Sequence, residues 1–156
     1  MTFLFSKGDK MNYIDEAYKE ALKALKIDEV PVGAVIVCDN KIIARSYNKK
    51  ETSNNPLGHA ELLAISKACK KLNKWRLNDC DIYVTLEPCS MCMSALIQCR
   101  IRNVYYGCLD TKSGAIKGSF SLLKSNKFNH EPNTYCLDDN RCSEILKKYF
   151  KSKREK

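Results

Sequence analysis

The chain has 156 residues, 44% of them hydrophobic and 29% charged, with a formal net charge of +9. That length holds one domain with a real core and excludes two ordinary ones, and no apolar run approaches the roughly 18 residues of a membrane span. Nine cysteines with no export signal, two of them in a Cys-x-x-Cys, fit metal-bound and free thiols in a reducing cytoplasm rather than a disulfide framework.

Residues 1–10 read as a poorly ordered extension, because Met11 stands just ahead of the first helical pattern, and 11–156 read as a single domain. Ile14, Ala17, Tyr18, Ala21, Leu22 and Leu25 recur at helical spacing and predict an amphipathic helix. Val32 to Val37 and Ile42 to Tyr47 read as strands, joined by a tight hairpin turn at Asp39-Asn40. A polar loop from Lys49 to Gly58 leads into a helix that begins near His59 and continues through Leu62, Ile65, Cys69 and Leu72. Ile82 to Leu86 predicts a short buried strand, and Pro88 suits the entry to a helix reaching Cys99. Val104 to Cys108 is another such strand, followed by a loop from Asp110 to Ser119 with Gly114 and Gly118. A weaker helix near Phe120 to Lys124 and a strand at Thr134 to Leu137 come next. The terminal helix turns Cys142, Ile145, Leu146, Tyr149 and Phe150 to its apolar side. This order implies a sheet covered by helices on both faces, with strands parallel where a helix joins them.

The chemistry concentrates in two short segments, His59-Ala60-Glu61 and, beginning at residue 88, Pro88-Cys89-Ser90-Met91-Cys92. One imidazole and two thiols are one ligand short of a closed tetrahedral zinc site, and the open position is where a catalytic zinc holds water. Both segments sit where a loop or strand delivers the chain into a helix, so the ligands can converge at two helix N-termini, whose dipoles favour thiolate. Two thiolates cancel the zinc charge, so its water is less acidified than at a three-histidine site, and Glu61 is the base that compensates. A redox Cys-x-x-Cys would leave His59 and Glu61 unused. A closed structural zinc would draw its fourth ligand from Cys80, Cys99 or Cys108.

His-x-Glu followed by Pro-Cys-x-x-Cys is the signature of the zinc deaminases. With Val30-Pro31-Val32-Gly33-Ala34, Asn48, Thr85-Leu86-Glu87, Asp110 with Lys112 and Gly114, Gly118-Ser119, Asn129-His130 and Tyr149-Phe150, the chain resembles the bacterial tRNA-specific adenosine deaminases from about Met11 to Phe150. These belong to the cytidine-deaminase-like superfamily. The resemblance implies a three-layer α/β/α sandwich with a central mixed five-stranded sheet, and a cytoplasmic homodimer with one Zn2+ per chain. The implied reaction uses water to convert adenosine to inosine at the wobble position of a tRNA anticodon stem-loop, that of an arginine tRNA. On the same basis His59, Cys89 and Cys92 hold the metal, Glu61 is catalytic, and Asn48 hydrogen-bonds the flipped nucleoside. Asp110, His130, Tyr149 and Phe150 are the further substrate contacts it implies. Asn55-Pro56-Leu57-Gly58 departs from the usual Asp-Pro-Thr-Ala, and the Gly114 to Gly118 loop is one residue longer than typical.

Two other functions stay open on the residues alone. A deaminase of free guanine, cytosine or a nucleotide would use the same core, because adenine and cytosine both place a ring nitrogen beside an amino-bearing carbon. A noncatalytic zinc module that binds RNA would have no use for Glu61. The basic end of the chain (Lys147, Lys148, Lys151, Lys153, Arg154 and Lys156) favours a polyanionic substrate over a free base.

Overall fold

The computed structural model describes residues 7–125 and 127–155. Residues 1–6 of the expected extension and Lys156 of the basic end lie outside the described residues.

Helix α1 spans Lys7–Lys26 and buries Ile14, Ala17, Ala21 and Ala24. The small side chains let it lie close on strand β1 (Gly33–Cys38), where a Cβ on Gly33 would collide with the helix backbone at Ala17 and Ala21. β1 pairs antiparallel with β2 (Lys41–Tyr47). The two turn residues, Asp39 and Asn40, have φ of 51° and 61°. Two positive φ values match the right-handed twist of a hairpin, and short polar side chains tolerate them. The register slips between Ile36 and Val37, one extra residue on β2 that bends the edge strand.

Three further strands complete the sheet: β3 (Cys80–Leu86), β4 (Asn103–Cys108) and β5 (Asn133–Cys136). The order is β2-β1-β3-β4-β5, with β1 antiparallel to both neighbours and β3, β4 and β5 parallel. β2 and β3, linked through a helix, therefore run the same way, as expected. Every residue of β1 is buried because helices cover both faces. The face carrying Ala34, Ile36, Ile82 and Val84 packs with Ala64 and Ala68 of α2 (Ala60–Leu72) and Met93, Leu96 and Ile97 of α3 (Ser90–Gln98). The opposite face, with Val35, Val37, Tyr83 and Tyr105, receives Ile14 and Ala17 of α1. Helix α4 (Asn140–Arg154) joins that face, where Cys142 lies against Gly107 of β4. Each fully buried Val, Leu or Ile contributes about 1.5–3 kcal/mol, so the two cores outweigh any single polar contact.

The mixed five-stranded sheet and α/β/α layering match the expectation. Several boundaries differ: α1 begins at Lys7, inside the extension expected over residues 1–10, and β3 begins at Cys80, two residues before the expected start. The segment near Phe120 to Lys124 forms one 3-10 turn, Leu122–Ser125, too short to bury an apolar face, and the last strand closes at Cys136, one residue before the expected end. Parallel pairing of β3 with β4 is pinned at its first register pair, Asp81 and Asn103. The buried Asp81 carboxylate there accepts both Arg102 Nε at 2.9 Å and Nη2 at 3.0 Å, and Asn103 Nδ2 at 2.9 Å. The other ends of β3 and β4 open towards the chemistry.

Candidate metal centre

His59 is the N-cap of α2 and Cys89 the N-cap of α3, both with extended backbone and neither with its side chain capping its own helix. A residue that leaves its cap bond unmade frees its side chain for another partner. The first amide of α2, Ala60 N, donates instead to Asn48 Oδ1 at 2.8 Å, which ties the end of β2 to the start of the helix. Cys92 lies one turn into α3 and is fully buried.

His59 Nδ1 lies 3.8 Å from Cys89 Sγ and 3.5 Å from Cys92 Sγ. Zinc bonds of about 2.3 Å to sulfur and about 2.0–2.1 Å to nitrogen give a tetrahedral N···S edge of about 3.6 Å. Both N···S distances thus already stand near the spacing a tetrahedral metal requires, and the three ligand atoms lie within 4.8 Å of one another. Among the described residues, the expected alternatives for a fourth ligand are committed elsewhere. Cys99 Sγ bonds Leu96 O, Cys108 Sγ bonds Thr85 O and Cys80 Sγ bonds Asp79 Oδ1. Among the described residues, His59, Cys89 and Cys92 are thus the three ligands here that could hold a metal ion.

The protonation pattern suits a cation. The hydrogen bond from Cys92 pulls the Cys89 thiol down to about 4, with His59 adding to the effect. The same partnership, followed by burial, pushes Cys92 well up. The contact with Cys89 also raises the His59 imidazole, against the effect of burial. Without metal the three ligands share protons around one thiolate, and a divalent cation would displace them. Glu61, in the first turn of α2 and only 4% exposed, is pushed up to about 7 by burial and stands in hydrogen-bonding reach of Cys92. A carboxyl poised near neutrality beside a metal centre can both accept and return a proton.

A second grouping, Cys38, Asp79 and Cys80, brings three ligand atoms within 4.8 Å of one another at the opposite end of β1 and β3. Burial raises the Cys80 thiol, and exposed Asp79 is already paired with Lys74 Nζ at 3.3 Å. Nothing there favours thiolate as the helix ends do at Cys89.

The other expected site residues fall in different places. The Asp110 amide donates to Glu87 Oε1 at 2.9 Å, two residues before Cys89, and Asp110 Oδ1 accepts from Lys112 N and Ser113 N at 3.0 and 3.1 Å. His130 Nε2 lies 2.6 Å from Ile101 O, ahead of β4 and at the far end of the strand from the cluster. Tyr149 OH donates to Asp28 O at 3.3 Å and meets Phe150 edge-on at 5.4 Å between ring centres. The structure therefore gathers His59, Glu61, Cys89, Cys92 and Asn48, borders them with Asp110, and does not bring His130 to them.

Two buried glutamates were not read from the sequence as site residues. Glu29 accepts the amides of Glu51 and Thr52 at 3.2 and 2.5 Å and so holds the loop that leads to His59. Glu87 accepts four amides from the loop after β4. The available signal was an acidic residue between a buried-type strand and Pro88, with paired glycines downstream.

The comparisons with known proteins agree with this geometry. A family model described as MafB19-like deaminase matches residues 8–154. A tRNA-specific adenosine deaminase of Bacillus subtilis is 41% identical over 145 residues, covering 92% of this chain and 90% of that protein. One from Rickettsia bellii is 46% identical over 122 residues, covering 77% and 84%. A solved structure from a study of A-to-I editing by tRNA:A34 deaminases at the wobble position is 40% identical with a TM-score of 0.81, covering 87% of this chain and 99% of that one. A guanine deaminase from Bacillus subtilis is 33% identical with a TM-score of 0.62, covering 94% of each chain. With its deaminase fold, its cluster of His59, Cys89, Cys92 and Glu61, and relatives spanning most of its length, the chain belongs to the tRNA-specific adenosine deaminase family.

Proposed function

We propose that the protein is a zinc-dependent hydrolase that converts adenosine to inosine at the first anticodon position of tRNA, an arginine tRNA in particular. The observation that carries this reading is the convergence of His59 Nδ1 with two thiols, one coordination position short, beside a buried carboxylate. These three residues would hold a zinc ion, which would supply Lewis-acid activation of a water. Glu61 takes a proton from the attacking water and delivers it to the ring nitrogen beside the amino-bearing carbon. Once the carbon–oxygen bond has formed, Glu61 takes the remaining proton of that oxygen and passes it to the amino group, which leaves as ammonia as the carbon–nitrogen bond breaks. Asn48, whose Oδ1 is engaged by Ala60, donates through its Nδ2 amide to the flipped nucleoside. Asp110, Tyr149 and Phe150 are candidates for contacts with flanking nucleotides, while His130 serves the strand end it bonds. The proposal extends to a homodimer working in the cytoplasm.

The likeness to a guanine deaminase supports a second reading, deamination of a free base. One experiment separates the two. Zinc-loaded protein is incubated with a tRNA carrying adenosine at the first anticodon position, and in parallel with guanine, cytosine and adenine. Inosine is read by sequencing and ammonia by a coupled assay. The tRNA reading expects inosine at that position, none with Glu61→Ala, and no ammonia from free bases. Ammonia from guanine with unmodified tRNA would sink it in favour of the second.

A further inference from the structure

Glu87 sits between the end of β3 and Pro88, is 2% exposed, and has no role in the mechanism above. Its carboxylate is wrapped by the loop that follows β4. Oε1 accepts from Asp110 N at 2.9 Å and Gly118 N at 3.1 Å. Oε2 accepts from Ile116 N at 2.9 Å, Lys117 N at 2.7 Å and Gly118 N at 2.9 Å. Four amides on one carboxylate form an anion nest in which the charge is satisfied by backbone dipoles. Two glycines make the approach possible, since a Cβ on Gly114 or Gly118 would collide with the Glu87 carboxylate.

The same loop is bonded to the metal turn itself. Ala115 N donates to Pro88 O at 2.9 Å, and Gly114 forms a β-bridge with Cys89. Between these anchors the loop exposes Thr111, Lys112, Ser113 and Lys117 at the rim of the metal centre. A carboxylate burial of this kind is costly unless every lone pair is used, so the nest holds one loop conformation against alternatives. Exposed lysines fixed beside an active site attract the phosphates of a polyanion without reading its bases.

We infer that Glu87 is a positioning residue for substrate: its carboxylate sets the 110–118 loop against the metal-ligand turn, so that Lys112 and Lys117 meet the RNA backbone entering the site. The inference rests on tRNA as the substrate class. Glu87 touches neither metal nor reacting atoms, so its loss should act on substrate capture and spare the chemical step.

The test uses full-length zinc-loaded protein with Glu87→Gln and, separately, Gly118→Ala, which keeps the charge and pushes a methyl into the nest. Zinc content, kcat and KM with tRNA, and the rate of trypsin cleavage after Lys112 and Lys117 are measured against cleavage elsewhere. Expected for both variants are zinc at the wild-type level, KM raised about tenfold, kcat within about twofold, and selective acceleration of those two cleavages. Unchanged KM with unchanged cleavage overturns the assignment, as does a loss carried by kcat alone. If Glu87→Gln loses zinc or fails to fold, Gly118→Ala decides: raised KM with zinc retained sustains the inference, and wild-type KM overturns it. Should the wild-type protein leave tRNA unmodified, the functional reading fails instead, while selective cleavage still reports whether Glu87 holds the loop.

Discussion

At the scale of single residues, protons and a metal ion would compete for one set of side chains, His59, Cys89 and Cys92. Cys92 and His59 are both raised, chiefly by their contact with Cys89, which strengthens their hold on protons that a cation would displace. Metal affinity should therefore rise with pH through neutrality, by about tenfold per pH unit for each proton released. Zinc titrations against a chelating competitor at several pH values would measure it, and a flat profile would mean that the ligands are already deprotonated. Cys92→Ser should lose the metal, because a serine hydroxyl is a poor ligand for zinc at this pH. Cys99→Ser should keep it, since the Cys99 thiol bonds Leu96 O and stands outside the ligand cluster. Metal analysis of the purified variants distinguishes the three-ligand site from a closed four-ligand one.

At the scale of elements, the two central helices surrender their N-cap side chains to chemistry, whereas α4 keeps its cap. Asp139 accepts from Arg141 N at 3.0 Å and also holds the Arg141 guanidinium, which reaches on to Asp15 of α1. The hydrogen bonds from Arg141 hold the Asp139 carboxyl below its usual value. A depressed carboxyl stabilises the fold above its unfolded value of about 3.9 and loses that contribution as pH falls through the folded value. Asp139→Ala should cost about 1 kcal/mol at neutral pH, the ordinary worth of such a cap. The difference from wild type should shrink below about pH 4. Chemical denaturation of both proteins at pH 7 and pH 3.5 checks the magnitude and the sign.

At the scale of the whole molecule, charge sorts itself by face. α4 carries exposed Lys147, Lys148, Lys151 and Arg154, whereas Lys153 is bonded to Asp28 Oδ2 at 2.5 Å and lies over the Tyr149 ring. Lys147 meets Glu144 Oε1 only at 3.8 Å, an exposed pair of little worth, so the first four keep charge to offer a polyanion. Replacing Lys147, Lys148, Lys151 and Arg154 by Ser should weaken tRNA binding and flatten its salt dependence. Each lost phosphate contact lowers the slope by about 0.7 for single strands and about 0.9 for duplex. Zinc content and turnover at saturating tRNA should hold, because His59 and Cys89 stand at the starts of α2 and α3. Identical slopes for the two proteins would reduce α4 to a solubilising face. Among the described residues, no helix is long and apolar enough to cross a membrane.

Local chemistry made much of this protein legible in one dimension. Periodicity located the helices, and Asp39-Asn40 marked a hairpin because few residues accept two left-handed conformations in a row. The gathering of His59, Cys89 and Cys92 was legible because metal-ligand chemistry restricts residue type and spacing at once. The tertiary structure decided what depends on residues distant in the chain. It spent Asn48 Oδ1 on the start of α2 and His130 on the carbonyl of Ile101. It also made Glu29 and Glu87 into holders of the loop that leads to His59 and of the loop bonded to Pro88. A carboxylate in a sequence carries no mark of which amides it will accept. Those amides lie more than twenty residues away in both cases, and only the closing of the sheet brings them to it.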